Sequence, residues 1–158
     1  MVMSRLVRGD VVFVRGTGFI SRAIEDITHS AYSHVALAVS SDHLIESQGG
    51  RVVGYQSASA YAGAADVYRT SLAPQILNSI VTRAESHLGE QYDYFLDALE
   101  LIRYETGVQL PYHEHHDLIC SMLIADAFRP TYDPCPGIPY PAPADEAKSS
   151  LWRYQFSF

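Results

Sequence analysis

Between Asp117 and Pro130 the chain carries Leu118-Ile-Cys-Ser-Met-Leu-Ile-Ala-Asp-Ala-Phe128, a run that is apolar on nearly every side. Asp117 is the expected N-cap and Pro130 the stop, so the run reads as one helix. A helix without a polar face must be buried all round, and here that means between a sheet and further helices. The first half of the chain supplies the strands. Val11-Val-Phe-Val-Arg15 is a β-branched run entered from Gly9-Asp10, and His34–Val39 with His43–Glu46 reads as a hairpin around Ser40-Ser41-Asp42. Arg51–Tyr55 and Ala65–Arg69 are two further short strands, and Leu151–Phe158 alternates as a terminal one. Phe19, Ile20, Ala23, Ile24 and Ile27 recur at helical spacing and give a short helix ending near His29. Ile76, Leu77, Ile80, Val81, Ala84 and Leu88 form a helical stripe stopped by Gly89, and Tyr94–Tyr104 is a second helix stopped at Gly107. Strands first and helices after imply an α+β fold, with an antiparallel sheet covered on one face by a helical layer.

The length, 158 residues, fits a single domain over 1–158 with a core of its own. Eleven Lys+Arg against 18 Asp+Glu give a net charge of −7, which argues against a nucleic-acid partner. No apolar run reaches the roughly 18 residues of a transmembrane helix. The first ten residues lack the basic-then-apolar layout of a secretory signal, making the cytoplasm the default location. Two cysteines, Cys120 and Cys135, make no disulfide framework and suit a reducing compartment. Six of the eight prolines lie between Pro130 and Pro143, which reads as an extended surface segment.

Cys120 is the first candidate for chemistry. With Asp117 as N-cap it is the third helical residue, where unpaired N–H groups and the helix dipole favour a thiolate over a thiol. The plain alternative is a buried structural cysteine in a core helix. A nucleophilic cysteine needs a base, and the base needs an orienting group. His34 begins the most strand-like segment, and Glu46 lies twelve residues on. A hairpin folded about Ser40 sets the two across from each other on one sheet face, and a register shift would bring Gln48 opposite His34 instead. On that face His34 is followed by Ala36 and Ala38, small residues that leave room for another element.

Ser33-His34-Val-Ala-Leu-Ala-Val39, with a polar residue twelve positions after the histidine, resembles the histidine hairpin of NlpC-type papain-like cysteine hydrolases. Leu118-Ile-Cys120-Ser121-Met-Leu-Ile resembles the start of their nucleophile helix. Histidine precedes cysteine here, which is similar to the circularly permuted branch of that family: YiiX-like bacterial proteins and, more remotely, lecithin–retinol acyltransferase relatives. Gly9–Phe13, Ile24–His34 and Gly89–Phe95 also match that branch, so the resemblance runs from about Gly9 to Phe128. It implies a papain-like fold with Cys120 as nucleophile, His34 as general base and Glu46 as third member, and with Tyr92 and Ser33 lining the cleft. It implies amide hydrolysis in a small peptide, such as a peptidoglycan stem peptide, with no cofactor and no metal. A lipid ester or acyl chain as substrate, or a non-catalytic binding module on the same fold, are the alternatives.

Tyr112-His-Glu-His-His-Asp117 is rich in metal-ligand types but lacks the spacing that sets two imidazoles on one helical face, and reads as a solvated loop. Cys135 has neither a helix start nor a base motif and reads as a bystander. His29, His43 and His87 carry no assigned function.

Overall fold

The computed structural model describes residues 5–16, 26–108 and 119–158, with the backbone alone at 94–98 and 100. Six strands form one sheet: β1 (Val11–Val14), β2 (His34–Ala38), β3 (His43–Glu46), β4 (Gly54–Ser57), β5 (Ala65–Arg69) and β6 (Arg153–Ser157). Their order is β4-β3-β2-β1-β5-β6, and every neighbouring pair is antiparallel. The helices are α1 (Pro74–Glu85), α2 (Tyr94–Thr106), α3 (Cys120–Phe128) and α4 (Pro143–Glu146).

Strand alternation divides the apolar side chains between two faces. Val11, Phe13, Val35, Leu37 and Ile45 pack with Leu77, Ile80, Val81 and Ala84 of α1 and with Leu123, Ile124, Ala127 and Phe128 of α3. The opposite face carries Val12, Val14, Ala36, Ala38, Leu44, Ala65 and Val67, covered by Leu6, Ala58, Tyr61, Phe156 and Phe158. The α+β expectation and the burial of the Cys120 helix agree with this arrangement. Each of Leu123, Ile124 and Phe128 is fully buried, worth about 1.5–3 kcal/mol apiece, so α3 is anchored along most of its length.

Several boundaries differ from the sequence reading. The helix expected from Leu118 starts at Cys120, with Ile119 in extended conformation (φ −88°, ψ 164°) as N-cap, while Asp117 lies outside the described residues. The fourth strand is displaced from 51–55 to 54–57. Val53 is held elsewhere: its N–H donates to the Glu90 carbonyl at 2.8 Å, and the Val53 carbonyl accepts from the Gly89 N–H at 2.9 Å. Of the helix expected over Phe19–His29, only 26–29 lies within the described residues; 26–28 is helical and His29 is in a turn.

The proline-rich stretch is not a surface segment throughout. Pro134 and Cys135 are buried, as are Pro141, Ala142, Pro143 and Ala144, and Pro143 occupies the opening turn of α4, where proline costs no hydrogen bond. The Arg129 guanidinium donates to the Ile138 and Pro139 carbonyls at 2.8 and 2.7 Å, tying the segment back to the end of α3. Trp152 packs edge-on against Phe128, with centroids 5.0 Å apart, and its indole N–H donates to the Glu146 carbonyl at 2.7 Å.

The turn before β1 depends on Gly9, whose φ is +93° and whose N–H donates to the Ala38 carbonyl at 2.8 Å. A Cβ there would lie 2.9 Å from Leu77 Cδ2 and 3.0 Å from Leu77 Cβ. Gly63 has a similar φ of +83° but open space around it. Gly9→Ala is therefore expected to cost about 2–4 kcal/mol and Gly63→Ala about 1–2 kcal/mol, read from urea unfolding midpoints. Equal losses would show that contact with α1 is not what fixes residue 9.

Candidate active site at the start of the third helix

His34 is the first residue of β2 and Glu46 the last of β3. The hairpin pairs Leu37 with Ile45 and Ala38 with Leu44. Extending that register sets Glu46 opposite Ala36 and position 48 opposite His34, two residues away from the pairing expected about Ser40. The cause lies in the turn. The Val39 N–H donates to the His43 carbonyl at 3.0 Å, and the Ser40 hydroxyl accepts from the His43 N–H at 3.1 Å, so the apex moves to Ser41. An even shift keeps both side chains on one face, whereas a shift of one would have separated them. Glu46 reaches His34 diagonally, with Nε2 to Oε2 at 2.9 Å.

This contact is nearly dry: the His34 side chain is 14 % exposed and that of Glu46 5 %. Burial works against a charged imidazole, but hydrogen bonds to Cys120 and Glu46 and the negative charge at both outweigh it, raising the His34 pKa to about 10. The ring is therefore protonated as pH rises through its ordinary value near 6.5 and stays so into the alkaline range. Nε2 is taken by Glu46, so Nδ1 is the nitrogen left for the sulfur. Burial also opposes ionisation of Glu46. The bond to His34, its charge, and a bond from Tyr61 together hold that carboxyl below its ordinary value.

Cys120 is the first residue of α3, with the sulfur-bearing residue 6 % exposed. No side chain caps this helix, and the first N–H to bond back within it is that of Leu123, to the Ile119 carbonyl at 3.1 Å. Among the described residues, no backbone acceptor is seen for the N–H groups ahead of Leu123. Cys135 differs. Burial pushes its thiol up to about 12, consistent with an inert group.

Ser33 extends the β1–β2 ladder through its N–H, which donates to the Val14 carbonyl at 3.0 Å, and so sits half-buried beside His34. Tyr92 is half-buried and packs against the cluster that contains Cys120. The His113–His116 run lies outside the described residues. One participant was missed in the sequence reading. Tyr61 donates its hydroxyl to Glu46 Oε2 at 2.6 Å, and its ring centroid is 5.7 Å from that of His34. It comes from a single 3₁₀ turn, Ala58–Tyr61, and this turn fills the space over Ala36 and Ala38 while α3 packs on the other face. A lone large side chain in Ala58-Ser-Ala-Tyr-Ala62 was the available signal.

Sheet, buried helix and the His34–Glu46 contact together describe an α+β protein with a cysteine at the head of its central helix. The same fold occurs in the crystal structure of the metalloprotein yiiX from Escherichia coli O157:H7. The match has a TM-score of 0.62 at 18% sequence identity, over 98% of this chain and 99% of that one. No family model matches the sequence, and no curated protein does. Among the described residues no three His, Cys, Asp or Glu side chains converge as a metal site. Among them, too, no helix is long and apolar enough to cross a membrane.

Tyr61→Phe and Glu46→Gln are expected to be non-additive in urea unfolding, with a coupling energy of about 0.5–2 kcal/mol, because both remove one charge-assisted hydrogen bond. Additive losses would mean that Tyr61 does not hold the carboxylate.

Proposed function

We propose that the protein is a cysteine hydrolase of the peptidase or amidase type, a circularly permuted papain-like enzyme of the NlpC kind. Its substrates are small peptides such as peptidoglycan stem peptides. One observation carries this reading: a buried imidazole bonded to Glu46 through Nε2 at 2.9 Å and interacting with the Cys120 thiol at the head of a helix. The shared fold with yiiX and the histidine-before-cysteine order are consistent with it.

In the proposed resting state the Cys120 proton already sits on His34 Nδ1, so a thiolate stands beside an imidazolium. Glu46 holds the ring's orientation and offsets its charge. The thiolate attacks the substrate carbonyl carbon, and the oxygen takes up the displaced electron pair. First-turn N–H groups of α3 stabilise that oxyanion. Collapse breaks the C–N bond, the amine leaves with the proton from His34, and a thioester remains on Cys120. Water, deprotonated by His34, attacks the thioester carbonyl, the C–S bond breaks and the acid leaves, restoring the thiolate and the imidazolium. Ser33 and Tyr92 line the cleft in this reading.

Iodoacetamide labelling followed by peptide mass spectrometry tests the nucleophile. Cys120 is expected to react below about pH 8, with Cys135 unlabelled, and His34→Ala to slow labelling by about 10²-fold. Equal labelling of both thiols only at alkaline pH would remove the enzymatic reading and leave a binding module. Peptidoglycan fragments and, separately, phospholipid vesicles test the substrate. Release of peptide products is expected, abolished in Cys120→Ala and at least about tenfold slower in Glu46→Gln. Lipid products alone would replace the peptide reading with a lipid-directed acyltransferase or esterase.

A further inference from the structure

Arginine side chains hold this fold together in several places. Arg69 grips Asp10 through Nε and Nη2, at 2.6 and 2.7 Å. Arg83 is spent on the Ala127 carbonyl at 2.7 Å and the Thr131 hydroxyl at 2.9 Å, and Arg129 on the Ile138 and Pro139 carbonyls. Arg15 is different. It bonds Asp66 through Nη1, and among the described residues no partner is seen for its Nε or Nη2. Those two nitrogens form the edge with which Arg69 holds a carboxylate side-on. In Arg15 that grip is unused, on a side chain that is 37 % exposed.

Its position gives this arginine a role. Arg15 follows Val14, the residue paired with His34, and its own N–H donates to the Ala64 carbonyl at 2.8 Å, which fixes the backbone at the end of β1. Val14 points to the face that carries Tyr61, so Arg15 points to the helical face, on which Cys120 begins α3. The guanidinium is mounted from behind. Asp66 accepts from the Tyr32 hydroxyl at 2.7 Å and the Ser157 hydroxyl at 2.5 Å as well as from Arg15, and the Tyr32 hydroxyl stands 3.1 Å from that of Tyr68. Burial opposes ionisation of Asp66, but the bonds from Arg15, Ser157 and Tyr32 hold its carboxyl below the ordinary value. Three donors therefore share its charge. Phe13 packs against the rings of Tyr32 and Tyr68, with centroids 5.3 and 5.4 Å away, and both tyrosines rest on the core cluster that contains Cys120.

We propose that Arg15 is a substrate-binding residue whose Nε and Nη2 take a free carboxylate of the peptide that Cys120 cleaves. The proposal rests on the hydrolase reading and narrows its substrates to peptides that carry such a carboxylate near the scissile bond. A carboxylate matches this edge with two parallel charge-assisted N–H···O bonds. An amide in the same place offers one oxygen and turns its own N–H donors against the guanidinium, so it is rejected. Asp66 fixes the guanidinium in advance, so little side-chain freedom is lost when the substrate arrives. The chain as a whole carries a net charge of −7 and repels anions, which makes a built cationic clamp beside the cleft the means of drawing one in.

Binding of di-, tri- and tetrapeptides with a free C-terminal carboxylate, against the same peptides as C-terminal amides, tests this in Cys120→Ala protein, which lacks the sulfur. At least one acid is expected to bind more tightly than its amide by about tenfold. In Arg15→Lys, which keeps the charge and loses the fork, that gap is expected to fall below about threefold. The nitrogen-15 NMR signal of Arg15 Nε is expected to move with the acid and stay in place with the amide. This second reading needs no substitution at residue 15, so it decides even where Arg15→Lys fails to fold. Equal binding of every acid and its amide, or an unmoved Arg15 signal, would overturn the proposal. Octanoate against octanamide separates the source of the carboxylate: a response to octanoate with none to any peptide overturns the peptide clamp in favour of a fatty acid. Failure of the clamp is distinct from failure of the hydrolase. Cys120-dependent cleavage of acids and amides at one rate, with the Arg15 signal unmoved, rejects Arg15 alone. Acid-specific binding that is lost in Arg15→Lys, in a wild-type protein that cleaves none of the peptides, upholds the clamp and rejects the hydrolase.

Discussion

A charged imidazole held almost out of water is the constraint on which the site depends. Taking an imidazolium from bulk water costs several kcal/mol, and only partners on both ring nitrogens offset that. Glu46 supplies one such partner at 2.9 Å, and the hydrogen bond and negative charge of Cys120 add to it. Glu46 faces the same problem in turn, and Tyr61 answers it with a second bond at 2.6 Å. Each member is thus stable only because the next is in place. Removing any one leaves a buried charge behind, which makes the set far more sensitive than its few bonds suggest.

The fold brings these groups together from opposite sides of one sheet. The helical face carries α3 and hence Cys120, while the other face carries the turn that delivers Tyr61. His34 belongs at the end of its strand because there an imidazole on one face is within reach of a helix start on the other. The packing behind α3 is as much a part of this as the strands in front. Phe128 against Trp152, and the Arg129 bonds to the Ile138 and Pro139 carbonyls, brace the helix end opposite to Cys120. The same bracing buries Glu146.

How much of this was legible follows from what each feature depends on. Val11–Val14 and Ala65–Arg69 emerge as strands from β-branched alternation, and Leu123, Ile124 and Phe128 as core from an apolar run too complete for any surface. A hairpin about Ser40 sets His34 and Glu46 opposite each other on one face; the register is two residues off, and the shared face survives because the shift is even. The error came from Ser40, whose hydroxyl bonds the His43 N–H, a local contact with no periodic signature. Tyr61 lay hidden because a single 3₁₀ turn repeats nothing. The proline-rich stretch was read as surface because proline excludes a long helix or an inner strand, yet it leaves a short helix starting at Pro143 open. Its burial rests on Phe128 and Trp152, contacts between segments that a linear reading does not join.

The central claim is that His34 carries its charge at neutral pH because Glu46 and the sulfur hold it. Nitrogen-15 NMR of the imidazole reads this directly. The account predicts that both ring nitrogens of His34 are protonated at neutral pH, with the ring losing its proton only near pH 10. In Glu46→Gln the loss should move toward the ordinary value of roughly 6.5. A singly protonated, neutral ring at pH 7 in the wild-type protein would contradict it.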